Sequence, residues 1–412
     1  MSPERRYSER FLLFLLAAVQ FTAVLDFLII LPLGPQYMRV MKINPGQFGF
    51  IVSAYAISAG ISGVAGCFFL DRFDRKSALL TLYGGFCIGT FLCALAPTYP
   101  LLVAARAVAG AFGGITGALI MAIIGDVVPL ERRGTAMGLV MSAFSIASIC
   151  GVPFGLYLAN AMNWHVPFLA LAGLSGVILI GAAFGMPSLR GHMHHSADEH
   201  PAARVAGVLM QRDHQMAFLF MGLLTFAGGS IFPFIATYMV SNVGLTEMQL
   251  PFIYLSGGLF TLFSMNWIGR WADRSGKLRV FTYMTLSTAA PILLLTNLAH
   301  APLFVAIGTS TLFMICMSGR MVPAMALLTA TVEDRYRGGF MSINSSVQQF
   351  ASGLAAAFSG QVMGQTASGQ ITHFPIIGVL AVALSYTSIY LARYLRPEQK
   401  GVVAPALCME QG

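Results

Sequence analysis

Three ionisable side chains sit deep inside apolar stretches: Asp26 in FTAVLDFLII, Arg106 in LLVAARAVAG and Arg320 in MICMSGRMVP. Within a bilayer span such a group costs at least about 2.5 to 3.5 kcal/mol on insertion scales, so it is kept where it binds, pairs or carries charge. A carboxyl can take up and give back a proton. Desolvation raises its pKa and a nearby guanidinium lowers it, so a changing separation between the two would switch uptake and release. Asp26 lies about seven residues from the outer end of its stretch, and Arg106 about six from the outer start of its own. At about 1.5 Å per residue both lie about 10 Å below the same surface. Matched depth makes Asp26 and Arg106 candidates for a proton-coupling pair if their two stretches are neighbours; the structural alternative is a fixed ion pair that pins two helices. Arg320 lies deeper toward the opposite side, where it either attracts an anionic group or bonds to carbonyls freed by Pro323. Asp126 reads as a boundary residue beside Arg132 and Arg133.

Other polar and aromatic residues are candidates to line a substrate cavity. Asn344, Gln348 and Ser352 recur at i, i+4, i+8 and form one polar stripe, expected to face a cavity or interface instead of lipid. Phe226, Phe232, Tyr238 and Tyr254 suit a broad lipophilic pocket, although most of the 31 phenylalanines must face lipid or fill cores. Signs of an enzyme are missing: there is no HExxH, no GxSxG and no aspartate pair on facing helices. The six cysteines show no CxxC spacing, and His192, His194, His195 and His200 lie in a polar tract that reads as a linker, so neither cofactor nor metal is expected.

The elements that must position these residues are membrane helices. The chain of 412 residues is 57% hydrophobic and 10% charged, with mean hydropathy +0.74, whereas soluble domains are about a quarter charged. Apolar stretches of the roughly 20 residues that cross a bilayer recur at 11–33, 47–70, 78–97, 100–124, 136–159 and 165–186, and again at 215–240, 249–269, 280–299, 302–325, 339–363 and 375–395. The spacing predicts an all-α membrane protein of twelve transmembrane helices in two pseudo-symmetric six-helix bundles. Of the 24 Lys and Arg, 20 then fall in loops or termini on one side, Arg39 and Lys42 on the other, and Arg106 and Arg320 within spans. That bias follows the positive-inside rule and places both termini in the cytoplasm. The formal net charge of +8 is thus topological and gives no reason to expect nucleic acid.

The halves carry matching loops. Asp71, Arg72, Arg75 and Lys76 follow the second span; Asp273, Arg274, Gly276 and Lys277 follow the eighth, with Asp71 and Asp273 202 residues apart. Arg133 and Arg337, before the fifth and eleventh spans, are 204 apart. Nearly one offset at two places argues for a parallel repeat with a substrate site between the halves. The expected units are 1–186 as the N-terminal bundle, 187–214 as a cytoplasmic linker, 215–395 as the C-terminal bundle and 396–412 as a cytoplasmic tail.

These motifs resemble the major facilitator superfamily, and within it the twelve-span drug:proton antiporter branch, over nearly the whole chain. The two loops resemble G-x-x-x-D-R-x-G-R-K, with Cys67 and Asp74 at the two glycine positions of the first copy. Arg106 to Gly110 is similar to R-x-x-(Q)-G; Gly151, Pro153 and Gly155 resemble the antiporter signature G-x-P-x-G; Trp164 to Phe168 is similar to W-R-x-x-F. In physical terms, glycines four apart admit a neighbouring helix and a proline bends its own, and an acid among bases at a helix end can act as a latch. The resemblance implies a monomeric inner-membrane carrier of a small molecule, coupled to protons, in which the first and fourth spans lie close together, so that Asp26 and Arg106 are expected to face one cavity. Efflux of a partly lipophilic compound is the leading reading and transport of a polar metabolite such as a sugar the alternative. The charge bias makes a topology prediction: a fluorescent protein fused after Gly412 should fluoresce in intact bacteria, and a dark fusion with an active periplasmic reporter would reverse the orientation.

Overall fold

The computed structural model describes residues 9–189, 207–332 and 337–395. The histidine tract, Arg335 and the tail 396–412 lie outside these. Twelve long helices dominate: α1 (Glu9–Ile29), α2 (Pro45–Phe69), α3 (Arg75–Leu95), α4 (Tyr99–Val127), α5 (Arg132–Ala161), α6 (His165–Gly185), α7 (Arg212–Val243), α8 (Leu250–Ser275), α9 (Lys277–Thr296), α10 (Leu303–Ala330), α11 (Arg337–Val362) and α12 (Phe374–Ala392). A two-strand hairpin, Gly364–Gln365 with Ile371–Thr372, precedes α12. In hydrocarbon every backbone N–H and C=O must be satisfied within the segment, so helices are the form these apolar stretches take. We call the end carrying the α2–α3 and α8–α9 loops the basic end, and the opposite end the far end.

Local sequence sets where the helices stop. After Ile29 the chain turns and starts a short helix, Gly34–Met41, with Pro35 in its first turn and Lys42 left-handed at its close (φ 53°). Asn44 then caps α2, its side chain accepting from Gln47 N while the Gln47 side chain accepts from Asn44 N. Pro153 lacks the N–H that would bond to Ile149, and α5 widens into a π-helical turn at Ala147–Gly151 just before it. In α7 Pro233 falls in a 3₁₀ turn, Phe232–Phe234, which breaks the helix beyond Gly229.

Eleven of the twelve helices are long and apolar enough to cross a membrane by composition alone. The exception is α11, which is flanked by α2 and α7 and keeps Asn344 and Ser346 buried there, away from lipid. The α2–α11 contact is the main seam between the halves. At its far end backbones nearly touch: a Cβ on Gly49 would meet the Ala356 carbonyl, and one on Gly360 would lie 2.7 Å from Pro45 O. Toward the basic end the seam continues through Gly60 against Phe350 and Gly63 against Ser346.

Packing differs between the two ends. At the far end one apolar core crosses both halves, joining Leu28, Tyr37, Phe48 and Trp164 to Phe234, Met239 and Tyr254. At the basic end each half has its own core, around Leu16, Leu82 and Ile120 in one and Phe220, Leu328 and Phe340 in the other. The second helix pair between halves, α5 with α8, meets at the π-helical turn, where Gly258 lies under Ile149. Below that turn Phe144, Ile146, Phe260 and Phe263 are exposed. The molecule is therefore joined at the far end and along α2–α11, and parted between α5 and α8 at the basic end. Gly49→Leu should overpack the seam and cost about 1–3 kcal/mol, read as a lowered Tm in detergent. Gly176→Leu on α6, which faces open space, should leave Tm unchanged.

Candidate functional site

Asp26 and Arg106 meet in the N-terminal half with both side chains fully buried. Arg106 Nη1 donates to Asp26 Oδ2 at 2.6 Å and to the Asp26 carbonyl at 3.4 Å; Thr90 Oγ1 donates to Asp26 Oδ1 at 3.1 Å. The guanidinium also lies over the Tyr55 ring, 4.3 Å from its centroid, a cation–π contact that is strongest where water is excluded. Arg106 Nε and Nη2 have no partner among the described residues. Four helices thus converge on one pair of charges.

The arrangement follows from sequence. Thr22 and Asp26, four apart on α1, both face α3: Thr22 Oγ1 and the Tyr83 hydroxyl are 2.8 Å apart, one turn below the Asp26–Thr90 bond. Arg106 and Gly110 share a face of α4, and a Cβ on Gly110 would meet the Tyr55 carbonyl of α2, so the glycine admits α2 closely enough to bring its tyrosine to the arginine. Gly151 and Gly155 press α5 on α1 at Leu25 and Ile29, the residues flanking Asp26. Around that contact an apolar groove of about 640 Å³ opens between α1, α5 and α6, lined by Phe21, Leu25, Phe154 and Leu171 among others. Replacing one member of a buried pair leaves the other charge unpaired, whereas apolar replacement of both is often nearly neutral.

The two basic-end loops are built differently. In the first, Leu70–Arg72 is a 3₁₀ turn that carries Asp71, and Asp74 caps α3 at negative φ, so the chain turns without glycine at either position. Asp74 accepts from Ser188 Oγ at 2.8 Å and Leu189 N at 2.7 Å, tying α3 to the end of α6. Arg75 is buried and donates from Nε to Asp126 Oδ2 at 2.8 Å. Asp126 thus joins this loop, while Arg132 pairs with Glu9 at 2.9 Å and Arg133 bonds to the Gly125 carbonyl. Arg72 and Lys76 are solvated or partly so. In the second loop Gly276 takes φ 92°, which suits only glycine, and Asp273 and Arg274 are exposed.

In the C-terminal half Arg320 is buried and donates to Ser385 Oγ at 2.6 Å and to the Leu224 carbonyl at 3.2 Å. It therefore joins α7 and α12 and does not bond within its own helix at Pro323. Phe226 packs on Phe358, Tyr238 packs at a tilt on Phe374 and donates to the Leu298 carbonyl, and Phe232 and Tyr254 pack in the far-end core. Asn344 is buried with Oδ1 unpartnered, Gln348 is half-buried on the same stripe, and Ser352 packs on Gly229 of α7.

A closed layer unforeseen from sequence covers the charge pair. Tyr37 of the short helix packs edge-on against Trp164 (5.0 Å) and on Phe48 (6.5 Å), and Phe48 meets Phe234 of the other half (5.9 Å). Above it Gln36 Nε2 donates to Asn160 Oδ1 at 2.8 Å, Asn160 Nδ2 donates to the Glu247 carbonyl at 3.1 Å, and Arg39 forms an ion pair with Glu247. These side chains rim a surface cavity of about 550 Å³. Gln36 and Arg39 are three apart on a helix opened by proline, which marks one face of the clasp; nothing in the pattern near Glu247 marks its partner.

Two repeated six-helix halves that close over a buried charge at one end and part at the other define a multi-pass membrane transporter of small molecules. The chain belongs to the Major Facilitator Superfamily, whose family model matches residues 16–356 and 218–406. It is 24% identical over 379 residues to the inner membrane transport protein YdhP of Escherichia coli (strain K12), covering 89% of this chain and 92% of that protein. It is 28% identical over 392 residues to the uncharacterized MFS-type transporter YwfA of Bacillus subtilis (strain 168), covering 92% of each. The crystal structure of a D-xylose-proton symporter superposes with TM-score 0.75 at 15% identity, over 95% of this chain and 99% of that one. The buried pair makes a stability prediction. Arg106→Ala should cost about 3–5 kcal/mol, and adding Asp26→Ala should recover part of that loss, measured as Tm in detergent.

Proposed function

We propose that this chain exports a small, partly lipophilic compound in exchange for protons by alternating access, in the manner of the drug:proton antiporter branch, with Asp26 the proton carrier and Arg106 its counter-charge. The observation that carries this reading is the pair itself. Among the described residues Asp26 is the one carboxylate well inside a span, and it is sealed beneath the far-end layer. On this reading the basic end is cytoplasmic, the protein acts as a monomer in the inner membrane, and the structure is its inward-facing state. The acid is paired with Arg106 while the α5–α8 side stands open to receive substrate. In the opposite state, with the far-end layer open, a proton reaching Asp26 from outside cancels its attraction for Arg106 and loosens α1 against α4. The glycines of α5 that press on Leu25 and Ile29 pass this movement to the helix that parts from α8. A lipophilic substrate is supported by the apolar groove of about 640 Å³ that faces the bilayer beside this contact, the phase in which such compounds dissolve.

One observation favours a second reading, transport of a polar metabolite such as a sugar. The aromatic side chains expected to line a lipophilic pocket, Phe226 and Tyr238, are engaged with Phe358 and Phe374, whereas buried Asn344 leaves a polar atom without a partner. The two separate in liposomes holding a pH-sensitive dye under an imposed proton gradient. Lipophilic cations or neutral drugs should evoke proton flux in wild type, sugars should not, and Asp26→Asn should abolish the response in a protein that elutes as wild type. Flux evoked by sugars would favour the second reading, and unchanged flux in Asp26→Asn would remove Asp26 from the coupling site.

A further inference from the structure

The two basic-end loops share a sequence signature and differ in how their charges are met. In the first copy the buried Arg75 finds Asp126, and Asp74 finds Ser188 and the Leu189 amide. In the second, Arg270, Arg274 and Arg279 are exposed and Lys277 is half-buried. None of these four meets a carboxylate among the described residues; Arg270 Nε bonds only to the Asn266 carbonyl at 3.3 Å. From 270 to 279 four bases stand against the single acid Asp273, a formal surplus of three positive charges.

This surplus is arranged on an aromatic slab. Trp267, Arg270, Trp271 and Arg274 lie at i, i+3, i+4, i+7 on one face of α8, and Arg279 and Tyr283 at i, i+4 on α9. Trp267 and Trp271 have ring centroids 5.6 Å apart, and Trp271 stacks parallel on Tyr283 at 6.3 Å. Trp267 and Tyr283 are 61% and 55% exposed, so the slab bridges the two helices and faces outward. Tryptophan and tyrosine concentrate at the headgroup level of a bilayer. Membrane topology asks only for positive charge somewhere in the loop, and leaves unexplained why the arginines gather on the face that carries the rings.

We propose that the α8–α9 corner is a binding site for an anionic glycerophospholipid of the leaflet at the basic end. Arg270, Arg274 and Arg279 take the headgroup phosphate, which guanidinium groups suit through paired N–H donors. Trp267, Trp271 and Tyr283 pack on the glycerol and the first acyl carbons. The lipid supplies to this half the counter-charge that Asp126 supplies to the other. The site is independent of what the protein transports.

The test uses the purified full chain in detergent, with phosphatidylglycerol, phosphatidylcholine or inorganic phosphate added, and reads lipid retention by native mass spectrometry and Tm by thermal shift. Phosphatidylglycerol should be retained and should raise Tm, and the other two should not. The triple variant Arg270→Gln, Arg274→Gln, Arg279→Gln should lose affinity by roughly a hundredfold, about fivefold per cation. Should the triple variant fail to elute as wild type, the single variants Arg274→Gln and Arg279→Gln carry the test, each losing about fivefold. Equal retention of both lipids, an equal shift with inorganic phosphate, or an undiminished preference in the variants would overturn the site.

Discussion

One pair of opposite charges, taken wholly out of water, organises the N-terminal half. A carboxylate and a guanidinium in hydrocarbon tolerate each other's absence poorly, so α1 and α4 are held where Asp26 and Arg106 can touch. The neighbouring helices are placed to serve that contact. α3 brings the Thr90 hydroxyl, α2 brings the Tyr55 ring, and glycines on α4 and α5 let α2 and α1 approach. The pair therefore fixes a packing arrangement and makes that arrangement depend on both charges being present.

From this centre the short helix Gly34–Met41 runs outward. It begins at Gly34, soon after α1 ends at Ile29, turns Tyr37 inward against Trp164 and Phe48, and turns Gln36 and Arg39 toward Asn160 and Glu247. The hydroxyl of Tyr37 is buried without a hydrogen-bond partner among the described residues. Charge pair, aromatic layer and polar clasp are thus successive layers on a single stretch of chain. The C-terminal half repeats the architecture without the chemistry: its buried cation, Arg320, bonds to a hydroxyl and a carbonyl. The two halves share their helices and differ in their electrostatics, as the two basic-end loops also show.

Much of this was legible because hydrocarbon imposes simple rules. Span positions, the parallel repeat and the twelve-helix fold follow from hydropathy and spacing, and observed helix ends fall within a few residues of most expected ones. Some ends depart further: α8 and α10 run on to Ser275 and Ala330, past the expected 269 and 325, and α1 stops at Ile29, short of the expected 33, because Pro35 and the turn before it start a separate helix. That Asp26 and Arg106 meet follows from their matched depth together with the neighbouring first and fourth spans that the family resemblance implies. What depth could not give was azimuth, the direction each side chain takes around its helix. Thr90 and Tyr55 have no mark that separates them from other threonines and tyrosines; only the Gly110 approach selects Tyr55. Direction likewise decides the C-terminal half, where Tyr238 turns toward α12 and Arg320 toward Ser385. The Arg39–Glu247 clasp joins residues 208 positions apart, beyond any periodic pattern.

The seam between α2 and α11 stays in contact toward the basic end while α5 and α8 separate there. An aperture held along one edge is a wedge, and a wedge has no single bore. Its width grows with distance from the closed edge, so molecules of different girth come to rest at different distances from the seam. Selection in such a space is graded by shape and position, as a tapered gauge sorts pins, where a cylinder of fixed diameter would only admit or refuse.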